Sequence, residues 1–157
     1  MDNLLGLLEN EYKVYEEILS LSKKKTDIVV KGKVSDLDHI VKLEQALVLQ
    51  ISKIDKKKNE AIEKFISDNS SWNITEIKKH ANSEQTKKLQ DYQNNMTQLL
   101  TELNQTNQLN SKLITNSLEF IEFSLNIFSA GDVTSNNYGN KGDSSNREKK
   151  NLFDIRL

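Results

Sequence analysis

The sequence predicts an all-α fold: an antiparallel, coiled-coil-like bundle of three long helices with a short intervening helix and a flexible C-terminal tail. Three observations carry this. The 157 residues contain no Pro and only five Gly, far fewer turn-formers than a sandwich or an α/β fold uses. Apolar residues recur at steps of three and four over three long stretches. The chain length suits one domain with a modest core.

The first stretch covers residues 4–30. Its seam is read as Leu5, Leu8, Tyr12, Tyr15, Leu19, Ser22, Thr26 and Val29. Lys31-Gly32-Lys33 ends it, with a glycine past the last turn and cations near the open carbonyls. A second helix is predicted from Ser35 as the cap, with Asp36 and Asp38 in its first turn. Its seam is Leu37, Ile40, Glu44, Leu47, Ile51, Ile54, Lys58, Ala61 and Phe65. The connection is short, so the two helices should lie antiparallel. Their charges agree: residues 1–22 hold five acids and one Lys, and residues 53–64 hold five Lys and three acids. Glu44 and Lys58 interrupt the second seam. They are read as seam-edge residues reaching outward, with a register device as the alternative.

The polar run 67–71 breaks the pattern, and Asn73-Ile74-Thr75-Glu76 resembles a capping box opening a short helix to about His80. Asn82, Ser83 and Gln85 restart the chain. The third long helix is predicted over residues 84–129. Its seam is Leu89, Tyr92, Met96, Leu99, Leu103, Thr106, Asn110, Leu113, Ser117, Phe120, Ser124 and Ile127. Asn110 on the seam, with Asn107 one turn before it, is read as a cross-bundle hydrogen-bonding pair. From Gly131 the composition turns to Gly, Asn and Ser without apolar periodicity. The domain reading is therefore a helical bundle over 1–130 and a tail over 131–157, the tail closing on the apolar cluster Leu152-Phe153-Asp154-Ile155-Arg156-Leu157.

Composition excludes much chemistry. With 22 Lys+Arg against 23 Asp+Glu, there is no cationic excess for nucleic acid. Zero Cys removes disulfides, thiol catalysis and thiolate metal sites. His39 and His80 have no convergent ligands at metal spacing and are read as solvated. There is no phosphate loop and no nucleophile elbow. No enzyme activity, metal or cofactor is expected. The first residues lack a signal-peptide pattern and no apolar run is long enough to span a membrane, so a cytoplasmic location without membrane insertion is expected.

One stretch asks for a partner. Residues 118–128 are apolar at seven of eleven positions, which is more than one helical face. Two readings stand: the other helices wrap this stretch, or it is left open as an interaction surface. The residues singled out for substrate-protein binding are Leu113, Leu118, Phe120, Ile121, Phe123, Ile127 and Phe128.

Four segments, in order, resemble the FlgN family of flagellar export chaperones. They are Leu4-Leu5-Gly6-Leu7-Leu8-Glu9-Asn10-Glu11-Tyr12; Leu43-Glu44-Gln45-Ala46-Leu47; Asn107-Gln108-Leu109-Asn110-Ser111-Lys112-Leu113-Ile114; and Tyr138-Gly139-Asn140-Lys141-Gly142. Lys58 stands where that family often has Arg. The resemblance implies a non-enzymatic protein that binds hook-associated junction proteins of the FlgK and FlgL type before their export. It implies that Tyr138 of the tail engages the export gate protein FlhA; Leu152 and Phe153, from the apolar cluster that closes the tail, are singled out with Tyr138 for docking on substrate or on that gate. A self-associating coiled-coil module, with a homodimer through the same apolar strip, is the competing reading.

Overall fold

A computed structural model describes residues 1–63 and 74–135. The predicted break at 67–71, the cap at Asn73, the seam residue Phe65 and the tail residues Tyr138, Leu152 and Phe153 lie outside the described residues. Among the described residues four helices follow in order: α1 (Asp2–Val30), α2 (Val34–Glu63), α3 (Ile74–Lys78) and α4 (Ser83–Ser135). No strand occurs among the described residues, and the fold is an all-α helical bundle. Two compact units are distinguished, Met1–Leu118 and Glu119–Leu157.

The first unit holds two apolar clusters. Val14, Ile18 and Leu19 of α1 meet Ile51 and Ile54 of α2 and Met96, Leu99 and Leu103 of α4. Toward one end, Leu4 and Leu8 join Ala61, Ile62, Leu89 and Ile77, so the short α3 contributes a single buried plug. Polar pairs reveal the directions. Glu11 meets Lys58 and Lys25 meets Glu44, so moving forward along α1 moves backward along α2 by the same count. Asp2 meets Gln85, Glu11 meets Tyr92, Ser22 meets Asn107 and Thr26 meets Asn110, so α4 runs parallel to α1. Each long helix is thus antiparallel to the next long one in sequence, which for α1 and α2 is the usual consequence of a short connection.

The helix boundaries have local causes. Gly32 takes φ +65, its N–H donates to the Val29 carbonyl and the Lys33 N–H donates to Ile28. This is a Schellman closure, which needs a residue at ease in the left-handed region. The Lys33 carbonyl then accepts from Asp36 and Leu37, so α2 begins at Val34 and Ser35 is not its cap. The Ser35 hydroxyl instead lies 3.4 Å from the Asp36 carboxylate. At the start of α4, the Gln85 N–H donates to Asn82 Oδ1 at 2.8 Å and the Asn82 N–H donates to Gln85 Oε1 at 3.1 Å, a reciprocal capping box. Helix α4 continues to Ser135, past the expected stop near 129. Gly131 costs a helix only about 1 kcal/mol relative to Ala, too little to end it by itself.

The α1 seam includes Leu8, Leu19 and Ser22 as predicted and departs from the prediction elsewhere. Leu4, Leu8, Glu11, Val14, Ile18, Leu19 and Ser22 are buried, whereas Leu5, Tyr12 and Tyr15 are only partly so. An isolated carboxylate is a poor core residue, so the burial of Glu11 needs a partner. That partner lies on α2.

Candidate functional site

Three polar clusters set the register of the first unit. In the first, Lys58 and Glu11 are both buried, with Nζ 2.8 Å from Glu11 Oε1 and 2.8 Å from Asp55 Oδ1. Tyr92 of α4 donates its hydroxyl to Glu11 Oε2 at 2.8 Å. Lys58 therefore does not reach outward as the sequence suggested. Charge pairing across α1 and α2, with a phenol from α4, compensates the lost hydration and makes this cluster a register device. Burial pulls the Lys58 ammonium down, but the hydrogen bonds to Asp55 and Glu11 outweigh it and leave it above the usual lysine range. Burial, then the hydrogen bond to Glu11, pushes the Tyr92 hydroxyl far above the usual tyrosine range.

The pH consequence has a definite sign. A raised folded pKa means that the folded chain holds its proton more tightly than the unfolded chain does. The Tyr92 and Lys58 contributions are complete below the unfolded values of 10.0 and 10.5 and fall away as pH rises above them. The melting temperature should be lost progressively above about pH 10. Tyr92→Phe should flatten that slope in melts followed by circular dichroism. An unchanged slope would mean that Tyr92 ionises as freely in the folded chain as in the unfolded one.

In the second cluster, Asn110 is buried, as its seam position suggested. Its Nδ2 donates to the Ser22 carbonyl at 2.8 Å, and its Oδ1 accepts from Thr26 Oγ1 at 2.6 Å. Asn107 Oδ1 accepts from the Ser22 hydroxyl at 2.7 Å. In the third, Lys25 and Glu44 form a half-buried pair at 2.7 Å. All three clusters join helices to one another, and each polar group is already satisfied by a neighbour. They can hold register but offer no spare acid, base or ligand. His39 and His80 are exposed, and among the described residues no group of three or more His, Asp or Glu could hold a metal ion.

The opposite situation prevails on α4 beyond the polar clusters. Within the first unit, Leu113 and Ile114 are partly buried and Leu118 is exposed. Within the second unit, Phe120, Ile121, Phe123, Leu125, Ile127 and Phe128 are all exposed, from 49% at Leu125 to 75% at Phe128. The sequence reading named five of these six. It missed Leu125, whose signal is the four-three spacing Ile121, Leu125, Phe128 beside the seam that was traced.

At about 100° per residue, these six side chains fall into two ridges. Phe120, Phe123 and Ile127 form one; Ile121, Leu125 and Phe128 form the other. Ser124 lies between them. Its hydroxyl donates to the Phe120 carbonyl at 2.8 Å, so this small residue needs no outside partner and leaves a furrow. Glu119, Glu122, Asn126 and Ser129 occupy the remaining face. Such an arrangement leaves apolar surface in water that burial against another apolar surface would remove.

No helix among the described residues is long and apolar enough to cross a membrane. A protein of Bacillus subtilis (strain 168), named Uncharacterized protein YvyG, is 23% identical over 111 residues, covering 71% of this chain and 69% of that protein. No solved structure matches the chain. The family model described as FlgN protein matches residues 1–146, which takes in all four helices and the exposed ridges. With the match covering most of its length, the chain belongs to the FlgN family of flagellar export chaperones.

Proposed function

We propose that this protein is a cytoplasmic chaperone that binds the amphipathic terminal helices of hook–filament junction proteins of the FlgK and FlgL type and delivers them to the type III export apparatus. The observation that carries this reading is the exposure of six large apolar side chains on residues 120–128 of α4. Apolar surface of this kind is costly in water and is relieved when the greasy face of another helix covers it. Leu113 and Leu118, in the first unit, are read as client-binding residues as well. The tail would serve the second half of the task, with Tyr138, Leu152 and Phe153 docking on substrate or on the export gate protein FlhA. Reversibility follows from the absence of any covalent step, and the entropy lost by an unfolded client on ordering keeps affinity moderate.

Calorimetric titration with the C-terminal helical segment of a junction protein from the same source should show saturable binding. No heat of binding, together with self-association on sizing at several concentrations, would replace this reading with a structural module.

A further inference from the structure

Resting on the chaperone reading, we infer that the α4 segment 119–129 is sheathed by two helices of one client, each carrying a cation on its outer flank. The apolar surface is too wide for one neighbour. Phe123, Ile127 and Phe120, then Phe128, Ile121 and Leu125, span about 200° of the helix circumference at about 100° per residue. A helix packed against one neighbour presents a stripe only a little over about 100° wide. One docked helix would leave a full ridge in water. Two docked helices, one on each ridge with the Ser124 furrow between them, cover both.

Charge decides which helices fit. Glu119 borders the ridge that ends at Phe123, and Glu122 borders the ridge that ends at Leu125. Each ridge therefore has its own carboxylate at its outer edge. No Lys or Arg occurs between Lys112 and Lys141 to balance them. A second copy of this segment would bring the same unbalanced carboxylates to the interface, which is unfavourable at close range in either direction. A client helix with Lys or Arg beside its apolar seam removes the conflict and adds rim attraction. Two such helices joined by a turn in one chain also gain from effective concentration, since docking of the first brings the second to its ridge.

The test uses the full-length protein and three probes from a FlgK-type junction protein: the whole C-terminal helical segment, and each of its helices alone. Two ridge variants are compared, Phe123→Ser with Ile127→Ser and Ile121→Ser with Phe128→Ser. The inference expects one segment bound per chaperone chain, and a loss of about tenfold or more in affinity from either ridge variant alone. Glu119→Lys and Glu122→Lys should each weaken binding and reduce its dependence on salt. Circular dichroism checks that helicity is kept. A ridge variant that binds the whole segment as wild type does, or one isolated helix that binds as tightly as the whole segment, overturns the two-helix inference and leaves the chaperone reading standing. Self-association of the wild type that the ridge variants abolish assigns the surface to a second copy and overturns it too. Absence of wild-type binding to all three probes overturns the chaperone reading itself.

Discussion

Lys58→Met is expected to destabilise the protein by about 3–5 kcal/mol, because it leaves the Glu11 carboxylate buried without its counter-ion. For a chain of this size, that corresponds to a melting temperature lower by about 10 °C. Both partners are almost wholly buried, so solvent screening does little to soften the loss. The informative comparison is with the fully apolar replacement. Glu11→Leu with Lys58→Met removes both charges, but it also leaves the Tyr92 hydroxyl without its acceptor. Adding Tyr92→Phe removes that remaining cost, which for an unsatisfied buried group is about 1–3 kcal/mol. The triple variant should regain most of the loss and can exceed wild type, as buried ion pairs often contribute register more than stability. Thermal melts of the single, double and triple variants check the series. A Lys58→Met protein as stable as wild type would mean that Glu11 finds water or another cation when Lys58 is gone.

Phe123→Ser combined with Phe128→Ser is expected to abolish client binding while leaving the fold alone. The two side chains are 63% and 75% exposed, one on each ridge, so the folded chain loses little packing when they are shortened. Surface substitutions of this kind change stability by about 0.5 kcal/mol or less. For the bound state the same changes remove two large apolar side chains from the interface, and a loss of about 100-fold in affinity is expected from aromatic anchors. Calorimetry and circular dichroism on the same preparation separate the two effects. A melting temperature that collapses along with binding would identify these phenylalanines as core, and the groove would have to be sought elsewhere.

The helices themselves were legible because each rests on short-range rules. The Lys31-Gly32-Lys33 stop follows from the backbone freedom of glycine, and the Asn82 restart follows from a side chain reaching its own neighbouring N–H groups. The α2 seam was traced through Ile40, Ile51, Ile54 and Ala61, which are buried. On α1 the predicted seam shares Leu8, Leu19 and Ser22 with the buried face and passes beside it at Leu5, Tyr12 and Tyr15. Nothing within α1 could reveal that Lys58 and Tyr92 converge on Glu11 from two other helices. Ser35 was misread for a related reason: the Gly32 turn already supplies the Lys33 carbonyl as the first acceptor of α2.

The candidate surface shows the same division. That residues 118–128 carry too many apolar side chains for one helical face is a matter of counting along the sequence, because an α-helix has a fixed period. Whether neighbours cover those side chains is a matter of which elements pack where, and periodicity is silent on it. By itself, then, the sequence determined the all-α class, the order of the helices, the turn at Gly32 and the polar seam position of Asn110, each through local backbone preference and helical period. The tertiary structure alone decided that Glu11 and Lys58 are buried together and that the apolar side chains from Phe120 to Phe128 stand open. Burial of a charge and exposure of an apolar side chain are properties of pairs of surfaces, and only packing brings the second surface into place or leaves it out.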